Sequence, residues 1–307
     1  MVMKRSYTIE TVKLSKRYNN YWALKDIDLT INSNVFVLMG PNGAGKTTLV
    51  RILSTQLLPT EGLAYVLGYD VIKEANKIRK RIAVLPQEAR PIPEATPWEH
   101  VYFYLIARGY GFSTAKQETN KILEELGLWD VRKKATIYLS AGLRRRTILA
   151  AILATHSDLC FLDEPTLGLD PTSRLTTWNY IIKLSKRGEK FFITTNYSNE
   201  AESLGENIAL LNKGKLIAYG SIDKLKKLIP FKLKITIGVQ YEKLPNNIKN
   251  LDLEYKIIAR GESSIIYLKE KNLDQIISLL PPNYNFSVAE ISLEDIFILK
   301  MSEGAEL

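Results

Sequence analysis

Three short stretches of this 307-residue sequence carry side chains that could do chemistry together. The first, GPNGAGKTT over residues 40–48, satisfies G-x-x-x-x-G-K-[ST], with apolar VFVLM before it and the helical spacing of TTLVRILSTQLL after it. Glycines at these positions let the chain double back so that its N–H groups converge on phosphate oxygens, and the positive end of the following helix adds to the attraction. Lys46 is then expected to bridge β- and γ-phosphates, and the Thr47 hydroxyl to ligate Mg²⁺. The second stretch places Asp163 and Glu164 after LCFL. One carboxylate there can hold Mg²⁺ while its neighbour polarises an attacking water, as phosphoryl transfer requires. A DE pair can also be a solvated strand end; the phosphate loop upstream favours the catalytic assignment. The third stretch, FITTNYSN, ends an apolar run on Asn196. That residue either caps the strand or stands where a reacting group is met.

The elements that must position these groups are legible in the hydrophobic period. YTIETVKLSKRY and WALKDIDLTI alternate as half-buried antiparallel strands do. VFVLM, RIAVLPQ, DLCFLDEP and KFFITTN read as buried strands. TTLVRILSTQLL, WEHVYFYLIARGYG, TNKILEELGLWD, LRRRTILAAILAT and LTTWNYIIKLSKRG read as helices between them, and NIALLNKGKLIAYG as a hairpin. Strands alternating with helices imply a mainly parallel sheet, hence an α/β fold. Composition shifts near Pro230, so residues 1–228 are expected to form one domain. Residues 229–307, with strand-like KLKITIGV, LEYKIIAR and SSIIYLK and helical LDQIISLL, are expected to form a second, small α/β domain.

At 46% apolar and 24% charged, the composition is that of an ordinary globular protein. No apolar run approaches the ~20 residues that span a bilayer. The opening MVMKRSYTIE lacks the apolar segment of a secretory signal, so a cytosolic location is expected. Cys160 is the single cysteine, which excludes an intrachain disulfide and suggests a small core residue. Two histidines without a cysteine cluster argue against structural zinc. Residues 1–230 carry 33 Lys and Arg against 22 Asp and Glu, while the last 77 carry nine against eleven. The basic part suits an anionic partner: nucleic acid, a phospholipid surface or nucleotide phosphates. A solvated lysine-rich surface fits as well. The run Arg144 to Arg146 is more simply a local electrostatic feature beside the phosphate loop than a nucleic-acid site.

The order GPNGAGKTT, LPQ, LSAGL, FLDEPTLGLDP resembles the nucleotide-binding subunit of an ATP-binding cassette (ABC) transporter, from residue 5 to about 225. The resemblance implies a P-loop NTPase core, an antiparallel β subdomain and a helical subdomain over residues 88–138, with ATP and Mg²⁺ as cofactors. Asn42, Gly43, Ala44, Gly45, Lys46, Thr47 and Thr48 would hold the phosphates. Tyr18, 22 residues before Gly40, matches the aromatic that stacks on adenine; such stacking is worth ~1–3 kcal/mol per base in nucleic-acid grooves. Tyr21 and Trp22 are rivals, and a buried aromatic is the plain alternative. Gln87 matches the glutamine that touches both metal and water, giving Thr47, Gln87 and Asp163 as metal ligands and Glu164, Gln87 and Asn196 as catalytic residues. Ser140 and Gly142, at the start of a helix expected near Leu143, would contact the γ-phosphate held by a second cassette. Asp170 would link the two sites. The active site implied is composite, between two identical or similar chains.

Two departures from the family pattern bear on rate. LSAGL has Ala141 and Leu143 where LSGGQ is usual; Ser140 and Gly142 are kept, so phosphate contact should survive. Asn196 stands where the family usually has a histidine that contacts the γ-phosphate, and neither His100 nor His156 can substitute by position. An asparagine donates a hydrogen bond without charge, so slow hydrolysis is expected; an unaltered rate is the alternative. The ending EISLEDIFILKM resembles ATPase subunits of drug, polysaccharide or lipid exporters that serve a separate permease. The expected location is therefore the cytoplasmic face of the membrane, bound to that permease, with no nucleic-acid partner. The preceding extension could regulate, dimerise, select a partner or merely stabilise. A slow or regulatory cassette beside a more active one, and a non-transport soluble cassette ATPase, are the competing readings.

Overall fold

The alternating N-terminal stretches pair as a long antiparallel hairpin, β1 (Ile9–Tyr18) with β2 (Tyr21–Ile31), turning at Asn19, whose φ of 49° suits asparagine. In the computed structural model residues 7–249 and 253–303 are described. The chain divides into two units, Met1–Tyr219 and Gly220–Leu307, ahead of the boundary at residue 228 expected from composition.

In the first unit, β3 (Val35–Met39) is buried throughout and runs into the phosphate loop and α1 (Lys46–Leu53). Next come β4 (Glu61–Val66) and β5 (Tyr69–Asp70), which complete an antiparallel sheet in the order β2-β1-β4-β5. A short α2 (Ala75–Arg79) leads to β6 (Ile82–Leu85). Helices α3 (Pro97–Ala107) and α4 (Phe112–Glu125) follow, and α5 (Ala141–Leu153) packs on both. The chain continues through β7 (Leu159–Asp163), α6 (Pro171–Ser185), β8 (Lys190–Thr195), α7 (Ser198–Leu204), β9 (Asn207–Asn212) and β10 (Lys215–Gly220). These strands build a six-stranded sheet, β10-β9-β3-β8-β7-β6, parallel from β9 through β6.

Phe36, Phe192 and Phe161 lie at one register across β3, β8 and β7, with ring centroids 4.9 and 5.5 Å apart. This row anchors the core beneath the site; aromatic pairs of this kind add about 0.5–1.5 kcal/mol beyond burial. Cys160 is fully buried in β7, and burial pushes its thiol pKa up.

Three helices begin earlier than their apolar spacing suggests. Asp170 caps α6 and Ser140 caps α5, whose start at Ala141 precedes the expected Leu143. Helix α4 starts at Phe112 and ends before Gly127, whose φ of 62° closes it, so the expected GLWD turn of helix is absent.

The second unit opens with α8 (Ile222–Lys226) and β11 (Leu233–Ile237). It continues with α9 (Asn246–Lys249), β12 (Tyr255–Arg260), β13 (Ser263–Leu268), α10 (Leu273–Leu279), β14 (Phe286–Glu290) and α11 (Leu293–Glu303). Its antiparallel sheet, β12-β13-β11-β14, covers a core of Ile235, Ile237, Ile266, Leu268 and Ile276. The SLED sequence forms a reciprocal cap on α11: Ser292 N–H donates to Asp295 Oδ2 at 2.8 Å, and Asp295 N–H donates to Ser292 Oγ at 3.3 Å. Among the described residues no helix is long and apolar enough to cross a membrane.

Candidate functional site

Register alone gathers the site. Met39 pairs with Thr195 and Thr194 with Asp163, so β3, β8 and β7 end side by side. Gly40, Asn196 and Glu164, each the next residue, open onto the same sheet edge. Ligands bind at the carboxyl ends of parallel strands for this reason.

The phosphate loop is packed so closely that two glycines are obligatory. A Cβ on Gly40 would lie 2.2 Å from the Leu211 carbonyl oxygen, and one on Gly45, at φ 108°, would lie 2.4 Å from that of Ala23. The β9–β10 turn braces the loop from behind, with Gly214 N–H donating to the Ala44 carbonyl at 2.9 Å. Asn42 through Thr48 line a cleft of about 480 Å³ with Tyr18, Tyr21, Ala23, Gln87 and Glu164. Tyr18 and Tyr21 are partners across the hairpin and both are exposed to this cleft. Trp22 instead faces the Arg17 guanidinium, 5.4 Å from its ring centroid.

Lys46 is 5% exposed and donates to the carbonyls of Gly40 at 2.8 Å and Pro41 at 3.2 Å, and to Asn196 Oδ1. Burial lowers its pKa, opposed by the charges of Glu164 and Asp163; Glu164 Oε1 is 3.5 Å away. Thr47 Oγ1 donates to Asp163 Oδ2 at 2.8 Å, and Asp163 Oδ1 accepts from Thr194. A hydroxyl and a carboxylate side by side are the hard oxygen donors Mg²⁺ takes from protein, phosphate and water completing its shell, so these residues fit that ion.

Glu164 has φ 48°, a conformation non-glycine residues hold at a cost of about 1 kcal/mol or more. Its Oε1 accepts from Asn196 Nδ2 at 2.9 Å and its Oε2 from Gln87 Nε2 at 3.1 Å. Thus the glutamate, the glutamine and Asn196 meet on one carboxylate. Asn196 Nδ2 also donates to Asn42 Oδ1 at 2.9 Å.

Ser140, Gly142 and Asp170 do not line this cleft. Ser140 is exposed and caps α5 through Leu143 N–H at 3.2 Å. Gly142 lies against the loop between β7 and α6, its Cβ position 3.6 Å from the Gly168 carbonyl oxygen. Asp170 caps α6 by accepting from Ser173 N–H at 2.9 Å.

Two residues to which the motifs assign no individual role are prominent. Arg145, 8% exposed, spends its side chain on backbone carbonyls around Gln87 and Glu164. Arg144 lines a second cleft with Gln87, and Arg146 donates to the Leu126 carbonyl at 2.9 Å, so the arginine run serves different local purposes residue by residue. Glu200, 4% exposed, accepts from Thr166 at 2.8 Å and Thr195 at 2.6 Å, joining the loop after β7 to the end of β8. The available signal was a charge on an apolar helix face: Arg145 shares its face with Ile148, Leu149 and Ile152, and Glu200 with Leu204.

The family model described as "ABC transporter" matches residues 24–167. The daunorubicin/doxorubicin resistance ATP-binding protein DrrA of Streptomyces peucetius is 38% identical over 219 residues, 71% of this chain and 66% of that protein. The daunorubicin resistance ATP-binding protein DrrA3 of Streptomyces coeruleorubidus is 40% identical over 69% of this chain and 67% of its own length. The matches thus span about two thirds of these relatives. Among solved structures, the dimeric post-hydrolysis state of the ATP-binding cassette MJ0796 bound to ADP and Pi superposes with a TM-score of 0.64. It is 25% identical, covering 70% of this chain and 98% of that one.

Proposed function

This chain belongs to the ABC transporter family and carries its ATP-binding cassette, and on that premise we propose that it hydrolyses ATP to drive a membrane permease. One observation carries the reading: Glu164, Gln87 and Asn196 meet by hydrogen bonds at the end of a phosphate loop whose Lys46 reaches the same carboxylate. Tyr18, with Tyr21 beside it, stacks on the base. The loop N–H groups and Lys46 hold the β- and γ-phosphates. Thr47 and Asp163, with Gln87 beyond, would hold Mg²⁺, which would neutralise charge on the phosphate oxygens. Glu164 accepts a proton from the water that attacks the γ-phosphorus, and Gln87 orients that water. The bond between the γ-phosphorus and the β–γ bridging oxygen breaks, releasing ADP and phosphate.

Ser140 and Gly142 lie outside the cleft of their own chain, and a second cassette facing the first would receive them. Two chains close on two nucleotides, move the permease and reopen after hydrolysis; the dimer of MJ0796 supports such an arrangement. In this reading a separate permease supplies the path; among the described residues no helix is long and apolar enough to cross a membrane. The chain then works at the cytoplasmic face of the membrane. The drug resistance in the names of the two Streptomyces proteins supports export of drug-like amphiphiles.

Turnover is slow, because both amide hydrogens of Asn196 are committed to Asn42 and Glu164. The same observation favours a second reading, a regulatory cassette beside a more active partner. Phosphate release by the purified chain, with and without Mg²⁺ and in E164Q, decides. Mg²⁺-dependent turnover lost in E164Q supports an ATPase; nucleotide binding without turnover supports the regulatory cassette.

A further inference from the structure

We propose that Arg145 is a positioning residue that holds Gln87 and Glu164 in register with the start of α5. The inference rests on the ATPase reading above and names a side chain through which that site is assembled.

Arg145 lies in the second turn of α5, five residues beyond its cap Ser140. Its Nε donates to the Pro165 carbonyl at 3.3 Å, and Nη1 to the carbonyls of Pro86 at 3.1 Å and Gln87 at 3.0 Å. Nη2 donates to those of Asp163 and Glu164, both at 2.9 Å. A guanidinium has five N–H groups, and all five are used on main-chain acceptors.

Those acceptors belong to two segments far apart in sequence. One follows β6 and carries Gln87; the other ends β7 and carries Glu164. Neither is held by regular structure: Gln87 is exposed in a loop, and Glu164 has the left-handed backbone. One planar, rigid fork therefore fixes the distance between the glutamine and the glutamate that share a hydrogen bond at 3.1 Å. Lysine has three donors and no plane, so it could satisfy only part of the set.

A buried cation is costly unless fully paired. Burial lowers the pKa of Arg145, while the negative charges of Asp163 and Glu164 oppose that shift. The charge is thus balanced by the acids whose backbone it holds. Ser140 and Gly142 sit one turn earlier on the same helix, on the part proposed to meet the partner's nucleotide. A rigid helix moves as a unit, so engagement at its start shifts five carbonyls around the chain's own Gln87 and Glu164 together.

The test uses full-length R145K and R145Q. ATP affinity is measured with radiolabelled ATP, turnover is expressed per bound nucleotide, and amide hydrogen exchange is followed over residues 87–89, where Ala89 N–H donates to the Pro86 carbonyl, and 163–166. Affinity should change by about twofold or less, while kcat falls about 10- to 100-fold in R145Q and less in R145K. Exchange should accelerate in both segments and not in α1. Normal kcat in R145Q, or unchanged protection of the two segments, overturns the proposal. A parallel loss of affinity and kcat also overturns it, because that marks a general folding defect. If the unaltered chain does not turn over ATP, the ATPase reading fails, and the exchange arm alone decides the role of Arg145.

Discussion

The side-chain amide of Asn196 donates to the Glu164 carboxylate, 2.9 Å from Nδ2 to Oε1. Its oxygen accepts from the Lys46 ammonium. The opposite orientation would set oxygen against carboxylate and NH₂ against ammonium, so its partners fix the amide plane. A residue at this place can therefore hold base and lysine together, yet it has no spare donor for charge developing on a phosphate.

Asn196→His should accordingly raise turnover. A whole preorganised donor commands ~10²–10³ in rate, and an asparagine that can still rearrange forfeits only part of that, so the gain expected is on the order of tenfold. Asn196→Ala should lower turnover, because Lys46 and Glu164 lose their bridge. Steady-state phosphate release with nucleotide affinity measured in parallel checks both; a histidine variant no faster than the parent contradicts the slow-cassette reading.

His156 predicts a pH-dependent stability. Its Nδ1 lies 2.7 Å from Glu189 Oε1 and its Nε2 3.1 Å from Glu118 Oε2, so it joins α4 to the turn before β8. Glu118 is shared with Lys121 at 3.1 Å. The hydrogen bond to Glu189 raises the His156 pKa, against the opposing effect of burial. A folded pKa above the unfolded value of about 6.5 means stabilisation fully present below about pH 6.5 and lost as pH rises through the folded value. His156→Asn retains the left-handed backbone at φ 44° and removes the titration. The melting-temperature gap between parent and variant should be wider near about pH 6 than near about pH 9; an equal gap contradicts the bridge.

How much of this was readable beforehand depended on whether a residue's partner was local. The phosphate loop, Asp163-Glu164 and the strand before Asn196 announce themselves because glycine spacing and an apolar strand are properties of a few consecutive residues. Polar capping turns carry no apolar period, so the hydrophobic spacing predicts these helices to start later than Pro171, Ala141 and Phe112. Strand β14 leaves no pattern in the sequence, because FSVAE is exposed at all five positions and pairs with β11. Arg145 donates to carbonyls 18 to 59 residues away, and Glu200 accepts from Thr166, 34 residues away, partners that no local pattern specifies.

Asp295 turns the SLED sequence into an internal lock. It is 2% exposed and accepts from Lys234 Nζ at 2.6 Å and the Tyr267 hydroxyl at 2.9 Å besides its cap on Ser292. Burial alone would raise its pKa, but hydrogen bonds from Lys234 and Ser292 hold it below the ordinary value. Asp295→Ala leaves the Lys234 charge without its partner and should cost the second unit about 3–5 kcal/mol in denaturant unfolding. ATP affinity of the first unit should not change. Wild-type stability in this variant would return SLED to a surface role.

The composite site can be tested by crosslinking, provided the cysteines go where the backbone accepts them. Gly45 is unsuitable, since a Cβ there meets the Ala23 carbonyl oxygen at 2.4 Å. Asn42 is exposed, lines the same cleft and tolerates a side chain already. The native Cys160 is fully buried with its pKa pushed up, so it stays unreactive, because the thiolate is the species that reacts. In a chain carrying Asn42→Cys and Ser140→Cys, with Glu164→Gln added to slow hydrolysis, MgATP should bring the thiol introduced in the phosphate loop of one copy within disulfide reach of the thiol introduced at the α5 cap of the next. That requires Cα atoms about 4.4–6.8 Å apart. A covalent dimer on a denaturing gel that depends on MgATP is the expected result. Its absence with bound nucleotide confirmed, alone and with an equivalent near-copy supplied, would mean that no second cassette completes this cleft.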